Sequence, residues 1–315
     1  MTTAHSLEAE VRELRLIAAH SPPYNRRSKY PERVVWLKLT TEAYPRLSVV
    51  RQLADDDAAY LGPFSSRRTA ELAAAGVYDA VPLRQCSLKL SAKTPTPACA
   101  LAELGRCPAP CEHRISTEEY ALRAALPFRT AMYGDPTPVV RALMDRITAL
   151  SDRQRYEEAA VIRARMVALL RATMRMQRLD ALTRLSEMVA ARRDKVGGWE
   201  IVVVRHGRLA AAATSPPREH PRPTLDMARL TAETVRPGPG PVPAATAEET
   251  ERILSWLERP DTRLVETSGD WVSPARGAAR FSTLLSRAEA AATGRDSSVR
   301  SSVTDRSDNA RSLRL

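Results

Sequence analysis

The sequence predicts an α+β protein built from several segments. Apolar residues recur at spacings of three and four in some stretches, which is typical of amphipathic helices. Short runs of β-branched and aromatic residues, bounded by turn-forming residues, lie between them and predict strands. The length of 315 residues allows about two domains.

The first 80 residues predict a helix, a small sheet and a second helix. Residues 6–20 form the first helix, with Ser6 as its N-cap and Leu7, Val11, Leu14 and Ile17 on its apolar face. Three short strands follow, in the stretches ERVVWLKLT, RLSVVRQL and AAYLGPF. The stretch SRRTAELAAAGVYDA then predicts a helix behind this sheet.

All four cysteines of the chain lie between residues 86 and 111, in a segment too rich in proline and polar residues to form one regular element. The N-terminus has no signal-like apolar core, and no apolar run is long enough to cross a membrane. The chain is therefore predicted to be cytoplasmic, with no membrane partner, and clustered cysteines in a reducing compartment favour a metal over disulfides. The alternative is a chance grouping of four small buried side chains.

The cysteines follow the pattern C-x12-C-x7-C-x3-C, at positions Cys86, Cys99, Cys107 and Cys111. Four thiolates complete the ligand shell of either Zn²⁺ or a [4Fe-4S] cluster. Zinc ribbons mostly pair their cysteines as C-x2-C, and that pair does not occur in this sequence. Lys89, Arg106, Arg114 and Arg84 flank these cysteines and predict a basic face for a DNA backbone.

The charge balance favours a polyanionic partner. Lysine and arginine total 48 against 37 acidic residues, which gives a net charge of +11, and only five of the 48 are lysine. Such an excess attracts nucleic acid. Arginine-rich composition together with much alanine and proline also arises in proteins from GC-rich genomes, so charge alone leaves both explanations open.

Two helical patterns separated by the polar stretch SDRQR predict a helical hairpin near the middle of the chain. Their apolar faces are Val140, Leu143, Ile147 and Leu150 in the first helix, and Ala159, Ile162, Met166 and Leu169 in the second. A pair of short helices buries little apolar area, so it needs a partner or a neighbouring domain. An ordinary helical pair packed within its own chain fits the periodicity equally well.

The last third predicts a second mixed region. The stretch GGWEIVVVRHGRLAAAATS predicts two strands joined by a turn at His206 and Gly207. A Pro/Gly connector, a helix, the strand TRLVET and a last helix follow. Residues 294–315 are Ser, Arg and Asp with almost nothing to bury, and are predicted to be disordered.

Five stretches resemble the UvrC family of excinucleases, in the same order and with similar spacings. They are ELRLIAAHSPPYNRRSK, WLKLTTEAYPRLSVVRQLADDDAAYLGPFSS, PLRQCS, GRCPAPCEHRISTEEY and RYEEAAVIRARM, within residues 8–175. The resemblance implies DNA repair by nucleotide excision, with DNA and the helicase UvrB as partners. Similar regions also occur behind an exonuclease domain, and the chain is predicted to derive from such a fusion.

The family's GIY-YIG nuclease provides two catalytic expectations. The resemblance implies that Glu13 is the carboxylate that holds Mg²⁺ or Mn²⁺, and that Asn25 is the family's catalytic asparagine. The strands that carry the family's tyrosines, and its helical arginine, have no counterpart in this sequence. Since a single carboxylate cannot position water and offset charge alone, this chain is predicted not to cut DNA by itself.

The resemblance also implies a UVR motif and a metal cluster. Tyr156, Glu157, Ala159 and Ala160 stand where UVR motifs have Phe-Glu-x-Ala-Ala, and Arg163 follows as expected. Tyr156 replaces the usual phenylalanine, and Gln154 stands where leucine is common. The matching cysteines of UvrC hold a [4Fe-4S] cluster, which makes this cofactor the prediction and Zn²⁺ the second choice.

The predicted organisation has five parts. Residues 1–30 form a GIY-YIG nuclease remnant, 31–134 a small sheet with the cysteine region, 135–178 the UVR hairpin, 179–293 an α/β region of unknown role, and 294–315 a disordered tail. Two alternative functions remain, a non-catalytic DNA-binding adaptor and an iron-sulfur redox sensor that binds nucleic acid.

Overall fold

The computed structural model describes residues 2–24, 34–54, 56–238, 242–271 and 277–291. Their helices are α1 (Ser6–His20), α2 (Arg67–Ala80), α3 (Ala100–Glu103), α4 (Thr117–Tyr120), α5 (Leu126–Tyr133), α6 (Thr137–Asp152), α7 (Tyr156–Thr183), α8 (Arg222–Thr231), α9 (Ala247–Leu257) and α10 (282–291). The strands are β1 (Val35–Leu39), β2 (Leu47–Val50), β3 (Ala59–Phe64), β4 (Met188–Arg193), β5 (Trp199–Arg205), β6 (Arg208–Ser215) and β7 (Thr262–Thr267). The predicted α+β class is confirmed.

The first sheet has three antiparallel strands in the order β2-β1-β3. All six residues of β3 are buried, and α2 covers the sheet with its alanine-rich face. Ser66 caps α2, because its hydroxyl accepts the backbone N–H of Thr69 at 3.1 Å. The predicted strands and the helix behind them are therefore present.

The helix α7 passes through the cores of both halves of the protein. It has 28 residues, which corresponds to about 42 Å of helix. Ile162 and Met166 pack into the core under the first sheet, whereas Leu179 and Leu182 pack into the core of the second sheet. One continuous helix thus connects the two halves.

The second sheet has four antiparallel strands in the order β6-β5-β4-β7. One face packs against α1, α9 and the end of α7, and the other face is covered by α8 through Leu225 and Ala228. His206 and Gly207 form the predicted turn between β5 and β6, with φ angles of 49° and 77°. Glycine adopts this left-handed region without a steric penalty.

The helix α1 packs against the second sheet, which the sequence did not predict. Leu7 and Val11 lie in the core of the second sheet, and Arg15 binds the buried Glu249 of α9 at 2.7 Å. Ser6 is the first helical residue and His5 precedes it as N-cap without a side-chain hydrogen bond, so the predicted cap was wrong. The boundary at residue 30 remains a prediction, and the predicted disordered tail lies outside the described residues.

Candidate functional site

A buried arginine organises the start of the cysteine loop, defined as residues 86–111. Arg84 is 0% exposed. Its guanidinium donates to the carbonyls of Tyr44, Cys86 and Leu88 at 2.7, 2.9 and 2.8 Å, and to the Glu42 carboxylate at 2.6 Å. The rigid fork of donors on arginine suits such a divergent set of acceptors. Arg84 therefore fixes the loop entrance against the turn after β1.

Tyr120 supports the same junction from α4. Its hydroxyl accepts the Arg84 backbone N–H at 2.9 Å and donates to the Pro45 carbonyl at 2.8 Å. Its ring meets Tyr44 edge-on at a centroid distance of 5.5 Å. Burial raises the pKa of Tyr120, so the hydroxyl stays protonated and keeps its donor.

The rest of the cysteine loop is held by turns and local hydrogen bonds. The Thr96 N–H donates to the Cys111 carbonyl at 2.7 Å, and the Glu112 carboxylate accepts the Ala98 N–H at 2.9 Å. The Ala98 bond, assisted by Arg114, holds the pKa of Glu112 below its usual range. Ala109 and His113 have positive φ angles of 51° and 56°, a conformation that is uncommon outside glycine.

The four cysteines of the loop are free thiols. Cys86, Cys107 and Cys111 are half-buried and Cys99 is exposed. The pKa of the Cys107 thiol is raised, chiefly by burial and further by the charges of the other three cysteines. Among the described residues, no three or more His, Cys, Asp or Glu side chains are arranged to hold a metal ion. Cys107 therefore lies within electrostatic range of the other three thiols.

The basic residues around the cysteine loop divide into two groups. Lys89 and Arg106 are exposed, and Arg114 is exposed but paired with Glu112 at 2.6 Å. Arg84 was predicted on this basic face, and that prediction was wrong because its guanidinium is fully buried among backbone carbonyls. Sequence alone does not separate a structural arginine from a surface arginine in a loop that lacks periodicity.

The helices α6 and α7 occupy the positions predicted for the hairpin and pack against each other. Residues 153–155 join them, and Gln154 adopts a φ of 58° in this turn. Tyr156 is 58% exposed, and Glu157 beside it is exposed as well. Ala159 is buried, while Ala160 and Arg163 are half-buried on the adjoining side of α7.

The other face of α7 is fixed against α2 by close packing and ion pairs. A Cβ on Gly76 would lie 2.9 Å from the Arg165 carbonyl oxygen, so the glycine permits the close approach of the two helices. Asp79, whose side chain is 1% exposed, binds Arg165 at 2.7 Å and Arg146 at 3.1 Å. The hairpin is therefore part of the first half of the protein, with Tyr156 at its free end.

Of the two predicted nuclease residues, the structure describes only Glu13. Glu13 is exposed on α1, beside a shallow apolar groove lined by Leu16, Ile17 and His20. Asn25 lies outside the described residues. The role of either residue in metal-dependent cleavage stays a prediction.

Sequence reasoning missed three residues that shape this site, namely Arg84 as a buried anchor, Tyr120 and Gly76. Tyr120 and Gly76 each carry a weak signal. Gly76 is a lone glycine in a helical pattern, which often marks a close approach of another backbone. Tyr120 lies four residues after Ser116, in the short helix that Ser116 caps. Sequence spacing does not show which groups its hydroxyl binds.

Comparison with known proteins defines the class of this region. Residues 34–128 match the family model described as "UvrC/Cho excinuclease, middle domain". This segment contains the first sheet, α2, the buried Arg84 and all four cysteines. The chain therefore carries a UvrC/Cho-type middle domain, and the resemblance found in the sequence is confirmed.

Individual relatives extend the similarity beyond that segment. A protein of Mycobacterium tuberculosis described as "putative bifunctional exonuclease/endonuclease protein" is 39% identical over 294 residues, covering 91% of this chain and 45% of the relative. The UvrABC system protein C of Chlorobium phaeobacteroides is 27% identical over 66% of this chain and 33% of its own length. That of Geobacter metallireducens is 29% identical over 64% and 33%.

The chain spans less than half the length of these curated relatives. No solved structure matches the chain. None of the described helices combines the length and apolar character needed to span a bilayer.

Proposed function

We propose that this chain is a DNA-binding component of UvrC-type excision repair that docks on a UvrB-like helicase. The observation that carries the proposal is the match to the UvrC/Cho middle domain, because all four cysteines lie within it. In this proposal the cysteine loop carries a metal centre and presents basic residues to DNA. The α6–α7 hairpin is a UVR motif that receives the helicase.

The donor set fits a [4Fe-4S] cluster better than a single zinc ion. Four thiols without competing His or carboxylate ligands match the usual ligation of such clusters. A zinc ion draws its four sulfurs to about 2.3 Å from one point, and zinc ribbons mostly supply them from C-x2-C pairs, which do not occur in this sequence. A cluster has a separate iron for each thiolate and so accepts wider spacing. When bound, it would crosslink a loop that has little core of its own.

The DNA-binding surface is proposed to include Lys89 and Arg106. Both side chains are exposed in the loop, and the structure shows them no acidic partner among the described residues. Free cations of this kind contact phosphates and release counterions on binding. Arg114 contributes less, because Glu112 already neutralises it.

Reversing both charges, Lys89→Glu with Arg106→Glu, is expected to weaken binding to duplex DNA and to lower the slope of log affinity against log salt by about 2. Fluorescence anisotropy across a salt series measures both quantities. The matched control is Lys195→Glu with Arg259→Glu, which changes the net charge equally at exposed positions near the second sheet. If the two double variants have equal slopes of log affinity against log salt, the cysteine loop is not part of the DNA interface.

Incubating the same DNA with the chain and Mg²⁺ or Mn²⁺, followed by a denaturing gel, tests for cleavage. We propose that these 315 residues bind DNA without cutting it. A single carboxylate such as Glu13 cannot by itself both position the attacking water and offset the developing charge. Nicking that is lost in Glu13→Ala would contradict this part of the proposal.

The hairpin is proposed to bind UvrB through Tyr156, with Ala160 and Arg163 beside it. Tyr156→Ala is expected to weaken binding to the helical hairpin of UvrB by about tenfold or more, as for an aromatic anchor at an interface centre. Tyr156 is largely exposed and its replacement leaves the core intact. Isothermal titration with a synthetic UvrB hairpin measures the change.

Leu104→Ala is the control for this experiment, since Leu104 is also an exposed apolar residue but lies in the cysteine loop. It is expected to bind as the wild type does. Ala160→Glu places a charge on the close-packed side of α7 and is expected to weaken binding as well. Wild-type affinity in both hairpin variants would rule out this surface.

A further inference from the structure

The helix α10 lies against the same hairpin that is proposed to receive the helicase. Leu285 is 9% exposed and belongs to the core under the first sheet, and Ala288 is buried one turn further on. Leu284 packs against the edge of that core. The protein therefore supplies a helix of its own to the α6–α7 pair.

The residues just before α10 are anchored to the rest of the protein by hydrogen bonds. The Gln177 side-chain oxygen accepts the Ala278 N–H at 2.8 Å, and its amide nitrogen donates to the carbonyls of Met132 and Gly134 at 2.9 and 3.0 Å. Arg280 lies 3.4 Å from the Asp135 carboxylate and 3.2 Å from the Thr137 hydroxyl. This end of the segment is anchored where α5 leads into α6.

Two open spaces flank the last described turns of α10. A cavity of about 270 Å³ lies on one side, lined by Met144, Ile147, Arg163, Leu284 and Ala288 among others. A groove of about 830 Å³ lies on the other side, between α10, α7 and the first turn of α2. The ion pair from Glu289 to Arg171, at 2.6 Å, joins two partly exposed side chains, and such pairs stabilise little.

The space around α10 overlaps the predicted partner surface. Ala160 and Arg163 line the larger groove together with Ala288 and Glu289, and Arg163 also lines the smaller cavity. A helix that docks on Ala160 and Arg163 must therefore enter space that α10 borders. A short helix is marginally stable when it is not packed, so release of residues 282–291 requires little beyond loss of these contacts.

We infer that α10 is an internal competitor for the hairpin, which covers part of the partner surface and is displaced from its far end when a helical partner binds. This inference rests on the proposed function, since it concerns the same surface. The anchored start at Ala278 keeps α10 close to the hairpin, so rebinding is intramolecular and favoured by a high effective concentration.

The 315-residue chain with Leu285→Asp is expected to bind the synthetic UvrB hairpin roughly tenfold more tightly than wild type. A tenfold change corresponds to an open surface in about one tenth of the wild-type molecules. Glu289→Arg, at a partly exposed position that leaves the core unchanged, is expected to shift affinity in the same direction. Thr283→Asp is the matched control, because it adds the same charge on the exposed side of α10. It is expected to bind as wild type.

A synthetic peptide of residues 277–291, added to the Leu285→Asp chain, is expected to restore the weaker affinity. Hydrogen exchange at residues 282–291 of the wild type is expected to rise when the UvrB hairpin is added. If wild type, Leu285→Asp and Glu289→Arg all bind equally, the inference is overturned while the partner assignment stands. If none of them binds the probe, the partner assignment falls and the inference falls with it.

Discussion

Replacing Arg84 by methionine is expected to lower the free energy of unfolding by about 3–5 kcal/mol, the range seen when one member of a buried ion pair is removed. Methionine fills much of the same volume without any donor. The carbonyls of Tyr44, Cys86 and Leu88 would lose their partner, and Glu42 would keep only its longer ion pair with Arg46. Each unsatisfied buried acceptor costs about 1–3 kcal/mol.

The size of this effect distinguishes Arg84 from its neighbour. Arg46 also pairs with Glu42, at 3.4 Å, but its side chain is 24% exposed. Arg46→Met is therefore expected to cost less than about 1 kcal/mol, as for exposed ion pairs. Arg84→Lys should fall between the two, because a compact ammonium cannot reach four divergent acceptors.

Urea unfolding followed by tryptophan fluorescence compares the three variants. The chain has four tryptophans, and Trp36, buried on β1, is the one in the first sheet. The same variants in a Trp36→Phe background therefore isolate its signal. An Arg84→Met chain that unfolds at the same urea concentration as Arg46→Met would show that the buried guanidinium is dispensable. Hydrogen exchange at residues 84–90 locates the loss at the loop entrance.

The helices and strands with clear periodicity were predictable from the sequence. The strands of the first sheet, α2, the α6–α7 pair and the β5–β6 turn were all predicted, because their apolar faces repeat at the helical or strand period. The strand β4 was missed. Its residues Met188–Ala191 are buried on both faces, so they show no alternation between apolar and polar positions.

Two other features depend on contacts that sequence spacing does not encode. The helix α7 continues to Thr183, past the predicted end of the hairpin at 178, because its last turns pack into the second core. The packing of α10 on the hairpin joins residues more than a hundred positions apart, such as Arg171 and Glu289. The residue types of the site were predictable, whereas the buried role of Arg84 required the fold.

The second large effect concerns the metal centre. Cys107→Ser is expected to abolish metal binding, because it removes one of the four clustered thiols and a hydroxyl is a poor ligand for iron or zinc. The wild-type chain, purified without oxygen, is expected to be brown and to contain about four irons. Metal analysis and visible absorption measure both properties.

The control is Ser91→Ala in the same loop. The Ser91 hydroxyl accepts the N–H groups of Lys93 and Thr94 at 3.0 and 3.1 Å, so its removal loosens the turn without removing a ligand. It is expected to retain the metal. Loss of metal in both variants would indicate that the loop fold, and not ligation by Cys107, controls binding.

The result of the metal analysis also shows what holds the cysteine loop in place. If a cluster crosslinks Cys86, Cys99, Cys107 and Cys111, its removal should expose residues 86–111 to protease while α2 and the first sheet stay protected, because metal binding contributes directly to the folding of such loops. Colourless protein with one zinc per chain would show that the bound metal is Zn²⁺ and not a cluster, and the crosslink between the four cysteines would still hold. Metal-free protein with a protected loop would overturn both assignments and leave Arg84, Glu112 and Tyr120 as the groups that hold this loop.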